Sequence, residues 1–575
     1  MSGTIYLKIF GECANTPEII SKCDHLCSLF GLSTDDLFSS WESYAYTEHK
    51  NSNLKVTPEL LDGLQKFIQE RMTLDNKSRP AASQQVKKRK LNNEETSNSL
   101  VSSNTILESI NSQIEDKETT ISNKNIKLVA QFNRSKYKYK TMNLKLLEIA
   151  DYLDERIDLF TQLISERYNL TENQFSDPTR QSQSEIYTVG RIVPDSPFAP
   201  TSSALNLDSL YLETSRASGF GQRVPLDLGN VSNFSFFPGQ IVAFRGINTN
   251  GSCFKVIENL KIPYLGSSTF TRDEIMNFAE VLGDDNLKII ITSGPYHSKN
   301  SLNFAYLDRF VRHLNETVKP DIVIMLGPFI DATSLPTILS SQFFNSGEDT
   351  EDLKSIDDLF LSYVSPILNE IQCSRIIILP HSSDPVAHTC YPQAPFNRKT
   401  LGLNKNFKCF PNPSLFNINE LSFGISTTDI IKDLKDIPTK DANSNRIERI
   451  IEHVIQQRQF YPVHPSPQSP DTLQIDTSYL GLTEFDEELP DIFVFPSIVR
   501  HFAKIIKNSV CVNPGQFLRQ DGNPGTYALL QVKSPDTSDL KQVKKSGTDD
   551  DDDEEVYEAF LSTAWKRTRV DIYNV

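Results

Sequence analysis

The sequence contains no apolar run long enough to cross a membrane, and it is sparing with cysteine. Its longest apolar runs, such as Ile322 to Leu326, have the length of a β-strand, far short of the ~18–20 residues of a spanning helix. The first 15 residues lack a basic start followed by an apolar core, so we expect no secretory signal peptide. Eight cysteines scattered over 575 residues are typical of free thiols in a reducing compartment. We therefore expect a chain that is neither secreted nor inserted in a membrane.

The common signatures of enzyme and metal sites are also missing. There is no Gly-rich phosphate loop, no Gly-x-Ser-x-Gly elbow and no Cys/His nucleophile pair. Cys23, His25 and Cys27 lie close together, but no second ligand pair follows to complete a zinc site. We expect ordinary buried thiols here and no cofactor.

Acids outnumber bases, with 74 Asp and Glu against 58 Lys and Arg and a net charge of −16. Such a chain is a poor candidate for binding nucleic acid through its overall charge, because phosphate neutralisation requires local cations. Since 38% of the residues are hydrophobic, the chain can form sizeable cores. Its length suits three or four domains.

The first 76 residues are predicted to form a small helical bundle. The triplets Thr16-Pro17-Glu18 and Thr57-Pro58-Glu59 each supply an N-cap hydroxyl, a proline for the first turn and an acid favourable at a helix N-terminus. Apolar residues recur at helical spacing after both triplets. Helices this short pack together rather than stand alone.

Residues 77–140 are predicted to be a flexible basic linker, because they contain 13 basic and 6 acidic residues and few apolar ones. Two basic clusters form a pattern typical of a bipartite nuclear import signal, the alternative being a solvated charge run: Lys77, Arg79, Lys87, Lys88, Arg89 and Lys90. Cations alternate with aromatics from Arg134 to Lys140, which suits either contact with single-stranded nucleic acid or a soluble approach to the next helix.

An amphipathic helix is predicted within residues 141–180, followed by a small β-barrel at 181–265. Leu146, Ile149, Leu153 and Ile157 recur at spacings of three and four. The next 85 residues contain several short strand patterns separated by turn residues, which suits an OB-fold or another small barrel. The aromatic run around Phe234, Phe236 and Phe237 is expected to be core rather than a stacking surface.

Residues 266–575 alternate buried strands with helical stretches, which predicts a layered α/β domain. Seven acids, 549–555, are expected to form a solvated loop within it. Ligands of α/β domains bind where the strands end. The loops that follow the predicted strands hold ten residues of interest: Ser293, Gly294, Pro295, Gly327, Pro328, Asp331, Pro380, His381, Asn513 and Pro514.

The layout of these loops resembles the calcineurin-like metallophosphoesterases, whose loops hold two metal ions with Asp, Asn and His. Here Pro295, Pro328 and Pro380 are among the residues that stand where acids, an Asn or a His belong. Proline offers no ligand atom, so the resemblance implies a phosphoesterase-type sandwich that is inactive. A single metal held by the remaining polar residues would need ligands crowded into neighbouring loops, and we expect none: Asp331, His381, Asp384 and His388.

A barrel followed by a stripped phosphoesterase domain resembles the B-subunit family of eukaryotic replicative DNA polymerases, and the alpha type within it. The resemblance is carried by Ser235 to Gln240, Tyr391 to Phe396, Phe423 to Asp429 and Val510 to Gly515, together with the loops above. It implies a multidomain α+β chain acting in the nucleus as a non-catalytic scaffold. The implied partners are the zinc-binding C-terminal region of the polymerase alpha catalytic subunit, primase through the same complex, and other replication factors through residues 1–76.

Two other functions compete with the scaffold: a metal-dependent phosphodiesterase and an OB-fold protein that binds single-stranded DNA. The first needs metal ligands that are missing, and the second needs exposed aromatics on a basic groove. Four Ser-Pro pairs are candidate phosphorylation sites: Ser196, Ser466, Ser469 and Ser534.

Overall fold

A computed structural model describes most of the chain beyond residue 104 and thirteen helical positions between 19 and 67. The continuous stretches are 105–115, 126–195, 205–206, 209–299, 301–336, 355–439, 442–443, 445–466, 473–485, 487–519, 521–536, 542–546 and 556–575. The chain divides into two units, residues 1–99 and 100–575. None of the helices among the described residues combines the length and apolar character needed to cross a membrane.

In the first unit, the described positions are helical and several of their side chains are buried, among them Ile19, Cys23 and Leu64. The ring centroids of Tyr44 and Phe67 lie 5.6 Å apart. These positions agree with a helical unit, but the bundle as a whole lies outside the described residues. The import-signal cations, Cys27 and the acidic run 549–555 lie outside them too.

The second unit begins with two strands inside the predicted linker. Strand β1 (Ile106–Ile110) pairs antiparallel with the final strand of the chain, and β2 (Leu128–Ala130) pairs with Ser414–Ile418. The Ser109 hydroxyl donates to Asp571 Oδ1 at 2.6 Å, and Asn111 Nδ2 donates to Thr568 O at 2.6 Å. The expectation of a flexible linker is therefore wrong for these strands, because pairing with distant residues supplies the order that local hydrophobicity does not.

Helix α1 (Leu146–Tyr168) is the predicted amphipathic helix, and it ends at Asn169 in the left-handed conformation. Its buried residues Ile157, Phe160 and Ile164 pack against Val189 and Ile241 of the barrel. The helix thus covers one side of the barrel.

The barrel is closed by five strands in the order β3-β4-β5-β8-β7. Its elements in chain order are β3 (Ile186–Pro194), β4 (Leu210–Glu213), α2 (Arg216–Gly219), β5 (Arg223–Asp227), β6 (Ser235–Phe236), β7 (Ile241–Ile247) and β8 (Phe254–Leu260). Phe234 and Phe236 lie in the barrel core, whereas Phe237 packs into the neighbouring α/β domain. All three rings are buried, as expected from the sequence.

The α/β domain contains a seven-stranded sheet, β1-β23-β20-β10-β11-β12-β13, and a six-stranded sheet, β18-β19-β17-β15-β14-β2. Its strands are β9 (Thr269–Phe270), β10 (Leu287–Ser293), β11 (Ile322–Leu326), β12 (Arg375–Leu379), β13 (Phe407–Cys409), β14 (Ser414–Ile418), β15 (Leu421–Ile425), β16 (Ile437–Pro438), β17 (Ile492–Val494), β18 (Phe502–Ile506), β19 (Ser509–Asn513), β20 (Thr526–Val532), β21 (Gln542–Ser546), β22 (Val556–Leu561) and β23 (Thr568–Asn574). Its helices are α3 (Arg272–Leu282), α4 (Ala305–His313), α5 (Ile356–Leu359), α6 (Ser365–Asn369), α7 (Ile430–Asp433), α8 (Arg446–Gln456) and α9 (Ala564–Arg567).

The two sheets pack face to face with helices on both outer faces. Ile289 and Ile291 of β10 belong to the core between the sheets, and Ile290 belongs to the core beneath α4. On the second sheet, Val494 faces the first sheet and Phe493 faces α8. Burial on both faces explains why these strands are continuous apolar runs in the sequence.

Candidate functional site

The loops singled out in the sequence meet at one edge of the first sheet. Strands β10, β11 and β12 run parallel, so the loops that follow them emerge side by side. The N–H of Gly294 donates to Leu326 O at 2.9 Å, and that of Gly327 donates to Leu379 O at 3.0 Å. The loops that follow these three strands therefore adjoin.

The two glycines allow the loops to approach more closely than side chains would permit. A Cβ atom at Gly294 would lie 2.0 Å from Pro328 O, and one at Gly327 would lie 2.0 Å from Asp384 Oδ2. Real Cβ atoms do not approach other atoms so closely, so glycine is required at both positions. The space between the loops is thus filled by the backbone of Pro328 and by the carboxylate of Asp384.

Asp384 is fully buried, and its carboxylate holds two loops together. Oδ1 accepts the N–H groups of Phe329 at 2.6 Å and Ile330 at 3.3 Å, and Oδ2 accepts that of His381 at 3.0 Å. Burial raises the pKa of Asp384 to about 7, although the backbone hydrogen bonds oppose that rise. Both of its oxygens are therefore engaged by the fold.

Two imidazoles in these strand-end loops are likewise engaged. His297 Nε2 accepts the N–H of Asp331 at 2.9 Å, which makes Nδ1 the protonated nitrogen that donates to Ser298 O at 2.9 Å. His381 Nδ1 accepts the N–H of Ser383 at 3.0 Å. Burial lowers the pKa of both histidines, that of His381 to about 4. Both rings are thus neutral at physiological pH, with an acceptor nitrogen already bonded.

Asp331 bonds within its own loop, because its carboxylate accepts the N–H of Thr333 at 3.0 Å and the Thr333 hydroxyl at 2.8 Å. His388 is exposed. In the part of the chain that the structure describes, no three His, Cys, Asp or Glu side chains are grouped to hold a metal.

At the strand ends of the second sheet, polar side chains are also hydrogen-bonded to the backbone. Asn513 Oδ1 accepts the N–H of Ser497 at 3.1 Å and that of Gly515 at 2.9 Å. The hydroxyl of Thr427 donates to Pro380 O at 2.8 Å, which links the two sheets. His297 was not singled out in the sequence, where only its position after a strand distinguished it, and Thr427 was named only as part of the stretch from Phe423 to Asp429.

A second notable feature is the junction between the barrel and the α/β domain. Gln457 forms a reciprocal pair with the backbone of Ile241: its Oε1 accepts the N–H at 2.9 Å, and its Nε2 donates to the carbonyl at 3.0 Å. Strands β6 and β16 pair across the same junction. A Cβ atom at Gly239 would lie 2.3 Å from the backbone nitrogen of His464, so the two domains are in direct backbone contact.

The junction also holds a buried ion pair. Asp436 Oδ2 accepts from Arg449 Nε at 2.6 Å and from the hydroxyl of Ser235, a barrel residue, at 2.8 Å. The side chains of Arg449 and Asp436 are 11% and 3% exposed. Although burial opposes ionisation, the nearby ring of His453, whose Nε2 lies 3.8 Å from Oδ2, and hydrogen bonds from Arg449 and Ser235 lower the pKa of Asp436 far below its usual range. The carboxylate is therefore charged at physiological pH.

The aromatics between Arg134 and Lys140, for which the sequence left contact with single-stranded nucleic acid open as one of two alternatives, are engaged in the fold. Tyr137 is buried, with its hydroxyl donating to Pro413 O at 3.4 Å. Tyr139 stacks on Tyr479 at 3.7 Å between ring centroids. These rings are not free to stack on bases, so the soluble-approach interpretation fits better.

Of the Ser-Pro sites, Ser466 and Ser534 are half-buried, while Ser196 and Ser469 lie outside the described residues.

Three family models match the chain. They describe the B subunit of DNA polymerases alpha and epsilon at residues 289–504, the OB domain of the DNA polymerase alpha B subunit at 150–262, and the N-terminal region of the DNA polymerase alpha B subunit at 5–71. The second match covers the closed barrel with its helix α1. A solved archaeal phosphodiesterase aligns over 48% of this chain and 99% of its own at 12% identity, but its TM-score of 0.21 is too low to carry an inference.

Three curated relatives are named as B subunits of DNA polymerase alpha. The Saccharomyces cerevisiae protein is 42% identical over 78% of this chain and 66% of its own length. The Schizosaccharomyces pombe protein is 36% identical over 70% of each chain, and the Rattus norvegicus protein is 26% identical over 69% of this chain and 62% of its own. The chain thus spans about two thirds of the length of these relatives. It belongs to the family of DNA polymerase alpha B subunits, the accessory subunits of that polymerase.

Proposed function

We propose that the chain is a non-catalytic scaffold of the DNA polymerase alpha–primase complex. In this proposal, residues 105–575 hold the zinc-binding C-terminal region of the catalytic subunit, primase joins through the same assembly, and residues 1–76 bind other replication factors. The observation that carries it is the state of the strand-end loops. Loop N–H groups donate hydrogen bonds to the side chains of Asp384, His297 and Asn513. These side chains thus hold the loops in place where a hydrolase would need free metal ligands.

The barrel junction supports the same proposal. The reciprocal amide bonds of Gln457 and the buried Asp436–Arg449 pair fix the barrel against the α/β domain. A partner that contacts both domains therefore meets a preset spacing, and binding loses no free energy to ordering the two domains. A rigid two-domain platform is what a scaffold requires.

Binding is tested by mixing a chain that begins at residue 105 with the C-terminal region of the polymerase alpha catalytic subunit and measuring the mass of the eluting species by size-exclusion chromatography. The truncation keeps β1 and β2, which both belong to the sheets. A stable one-to-one complex is expected. Two separate peaks, with the truncated chain still folded by circular dichroism, would contradict the proposed partner.

Catalysis is tested on the full chain with Mn²⁺ and bis(p-nitrophenyl) phosphate. We expect no metal-dependent hydrolysis. Two metal ions require several side-chain ligands, but prolines stand at some of those positions and the polar side chains that remain are hydrogen-bonded within the loops. Stoichiometric bound manganese with turnover that is lost on His381→Ala would instead support a phosphodiesterase.

We further propose that the chain acts in the nucleus, directed there by the two basic clusters that begin at Lys77 and Lys87. A fluorescent fusion carrying K87Q, K88Q, R89Q and K90Q should lose nuclear accumulation, whereas K255Q, K261Q and K432Q should not. Nuclear signal unchanged in the first variant would remove the assigned role of this cluster.

The four Ser-Pro sites remain predictions, to be checked by phosphopeptide mapping.

A further inference from the structure

Two basic segments that contain no acid meet at one edge of the α/β domain. Residues 126–147 contain six Lys or Arg, and residues 397–408 contain four, with no Asp or Glu in either segment. The fold joins them just beyond the end of the second segment, where Arg134 Nη2 donates to Cys409 O at 3.0 Å and the ring of Phe132 lies 5.1 Å from that of Phe410. The two segments together contribute ten cations and no acid of their own in a chain whose net charge is −16, while Asp476 and Glu484 of another element lie beside the first segment at Met142 and Lys136.

We define the basic edge by six residues around β2 and β13: Lys127, Arg134, Arg375, Arg398, Lys405 and Lys408. Arg375 and Lys408 line a groove with Leu128 and Ala130, which places them beside β2. Burial raises the pKa of Cys409 to about 11, while Arg134 and Arg398 both act to lower it, so both cations lie near this thiol. The described part of the chain provides no salt-bridge partner for any of the six, whereas Arg216 and Arg245 elsewhere each pair with two acids.

Each of the three arginines of the basic edge is held by a backbone carbonyl, and none pairs with an acid of the described residues. Arg134 donates to Cys409 O at 3.0 Å, Arg375 to Ser374 O at 2.9 Å and Arg398 to Leu403 O at 3.2 Å. A carbonyl fixes a guanidinium but leaves its charge and its other N–H groups available. Guanidinium groups held in this way suit the planar, bidentate contacts that phosphates accept.

We propose that the basic edge binds the sugar-phosphate backbone of a nucleic-acid duplex, a function beyond the scaffold role. Several cations that pair with no acid of the described residues and lie along one edge can each face a phosphate of a duplex. Single strands are less well matched, because single-strand binding relies on exposed aromatics, and Tyr137 and Tyr139 are engaged in the fold. Recognition is through backbone charge and is independent of base sequence.

The test measures fluorescence anisotropy of a duplex of about 20 base pairs with the full chain, over about 50 to 200 mM salt. The variant K127Q/K405Q/K408Q removes three exposed side chains that form no hydrogen bond within the described structure, so its folding should not change. Two matched controls each remove three cations elsewhere: K255Q/K261Q/K432Q on the folded body and K87Q/K88Q/R89Q in the import cluster.

Each lost phosphate contact lowers the slope of log K against log salt by about 0.9. We therefore expect the edge variant to reduce the slope by roughly 2 to 3 and to weaken binding at low salt by about tenfold or more. Both controls should change the slope less. The proposal is overturned if the edge variant loses no more than the controls. It is also overturned if poly-glutamate of matched charge competes as well as duplex, which would indicate an acidic protein partner, or if single strands bind more tightly.

Discussion

The carboxylate of Asp384 fills the space that a side chain at Gly327 would need. A Cβ atom at Gly327 would lie 2.0 Å from Asp384 Oδ2 and 2.9 Å from the backbone nitrogen of His381. The carboxylate reaches this point because three backbone N–H groups hold it there. The second and third strand-end loops are therefore locked together through a contact that any other residue at position 327 would disrupt.

Gly327→Ala should destabilise the folded chain, because the added methyl group must displace a fully buried carboxylate and backbone. Overpacking of this kind costs about 1–3 kcal/mol. Urea denaturation followed by circular dichroism measures the loss. The matched control is Gly266→Ala, since a Cβ at Gly266 meets nothing within 4 Å. Equal midpoints for the two variants would show that the loops relax without cost.

Asp384 should make stability fall as the pH rises. Its pKa in the folded chain is about 7, above the usual 3.8, because burial disfavours the charge. The folded state then holds the proton more tightly than the unfolded state, so this contribution is full below about pH 4 and is lost as the pH rises through 7. Asp384→Asn cannot titrate, and the stability of wild type relative to this variant should decrease between about pH 5 and pH 8.

Other groups titrate over this range, and comparison with Asp384→Asn separates them. His381, whose pKa is lowered to about 4, acts in the opposite sense, since its stabilisation grows as the pH rises towards the unfolded value of 6.5. Asp491, with a pKa raised to about 6 by burial, acts in the same sense as Asp384. Both are present in wild type and variant, so their effects cancel. A difference in denaturation midpoint that stays constant with pH would contradict the assignment.

Removing the buried charge at the barrel junction should be costly. Asp436→Asn leaves Arg449 buried without its counter-charge, and breaking one side of a buried pair costs roughly 3–5 kcal/mol. Asp308→Asn is the control, because the Asp308–Arg312 pair spans one helical turn with side chains 36% and 59% exposed, where pairs contribute at most about 0.5 kcal/mol. Thermal melting of both variants gives the comparison, and similar losses would mean that the junction pair is effectively solvated.

The main strands and the barrel could be predicted from the sequence because the pattern of apolar residues that buries each strand lies within the strand itself. Strand β11 is fully buried on both faces, so all five of its residues had to be apolar, and the run was visible without knowledge of its neighbours. Helix α1 was visible for a related reason, since it buries one face against the barrel. The absence of a phosphoesterase metal site stays a prediction of the sequence, made because proline cannot act as a ligand wherever the fold places it.

Features that depend on distant pairing could not be predicted in this way. Strand β1 is mostly exposed, and its partner lies more than 450 residues along the chain. Nothing local to Gln457 marks it as the residue that bonds the backbone of the barrel. In the same way, the sequence showed which loop residues were polar but could not show that their atoms are bonded to the loop backbone.

Strands β1 and β2 also determine where the chain can be cut. Removing residues 1–104 leaves both strands in place, whereas removing residues 1–140 exposes the edges of β23 and β14 and breaks the Ser109–Asp571 bond to a fully buried carboxylate. Unpaired sheet edges promote association between molecules. We expect the shorter truncation to melt as a monomer near the temperature of the full chain, and the longer one to melt several degrees lower and to aggregate, as measured by differential scanning fluorimetry and light scattering. Equal melting of the two truncations would mean that β1 and β2 add nothing to the sheets, in which case the proposed platform could begin at helix α1.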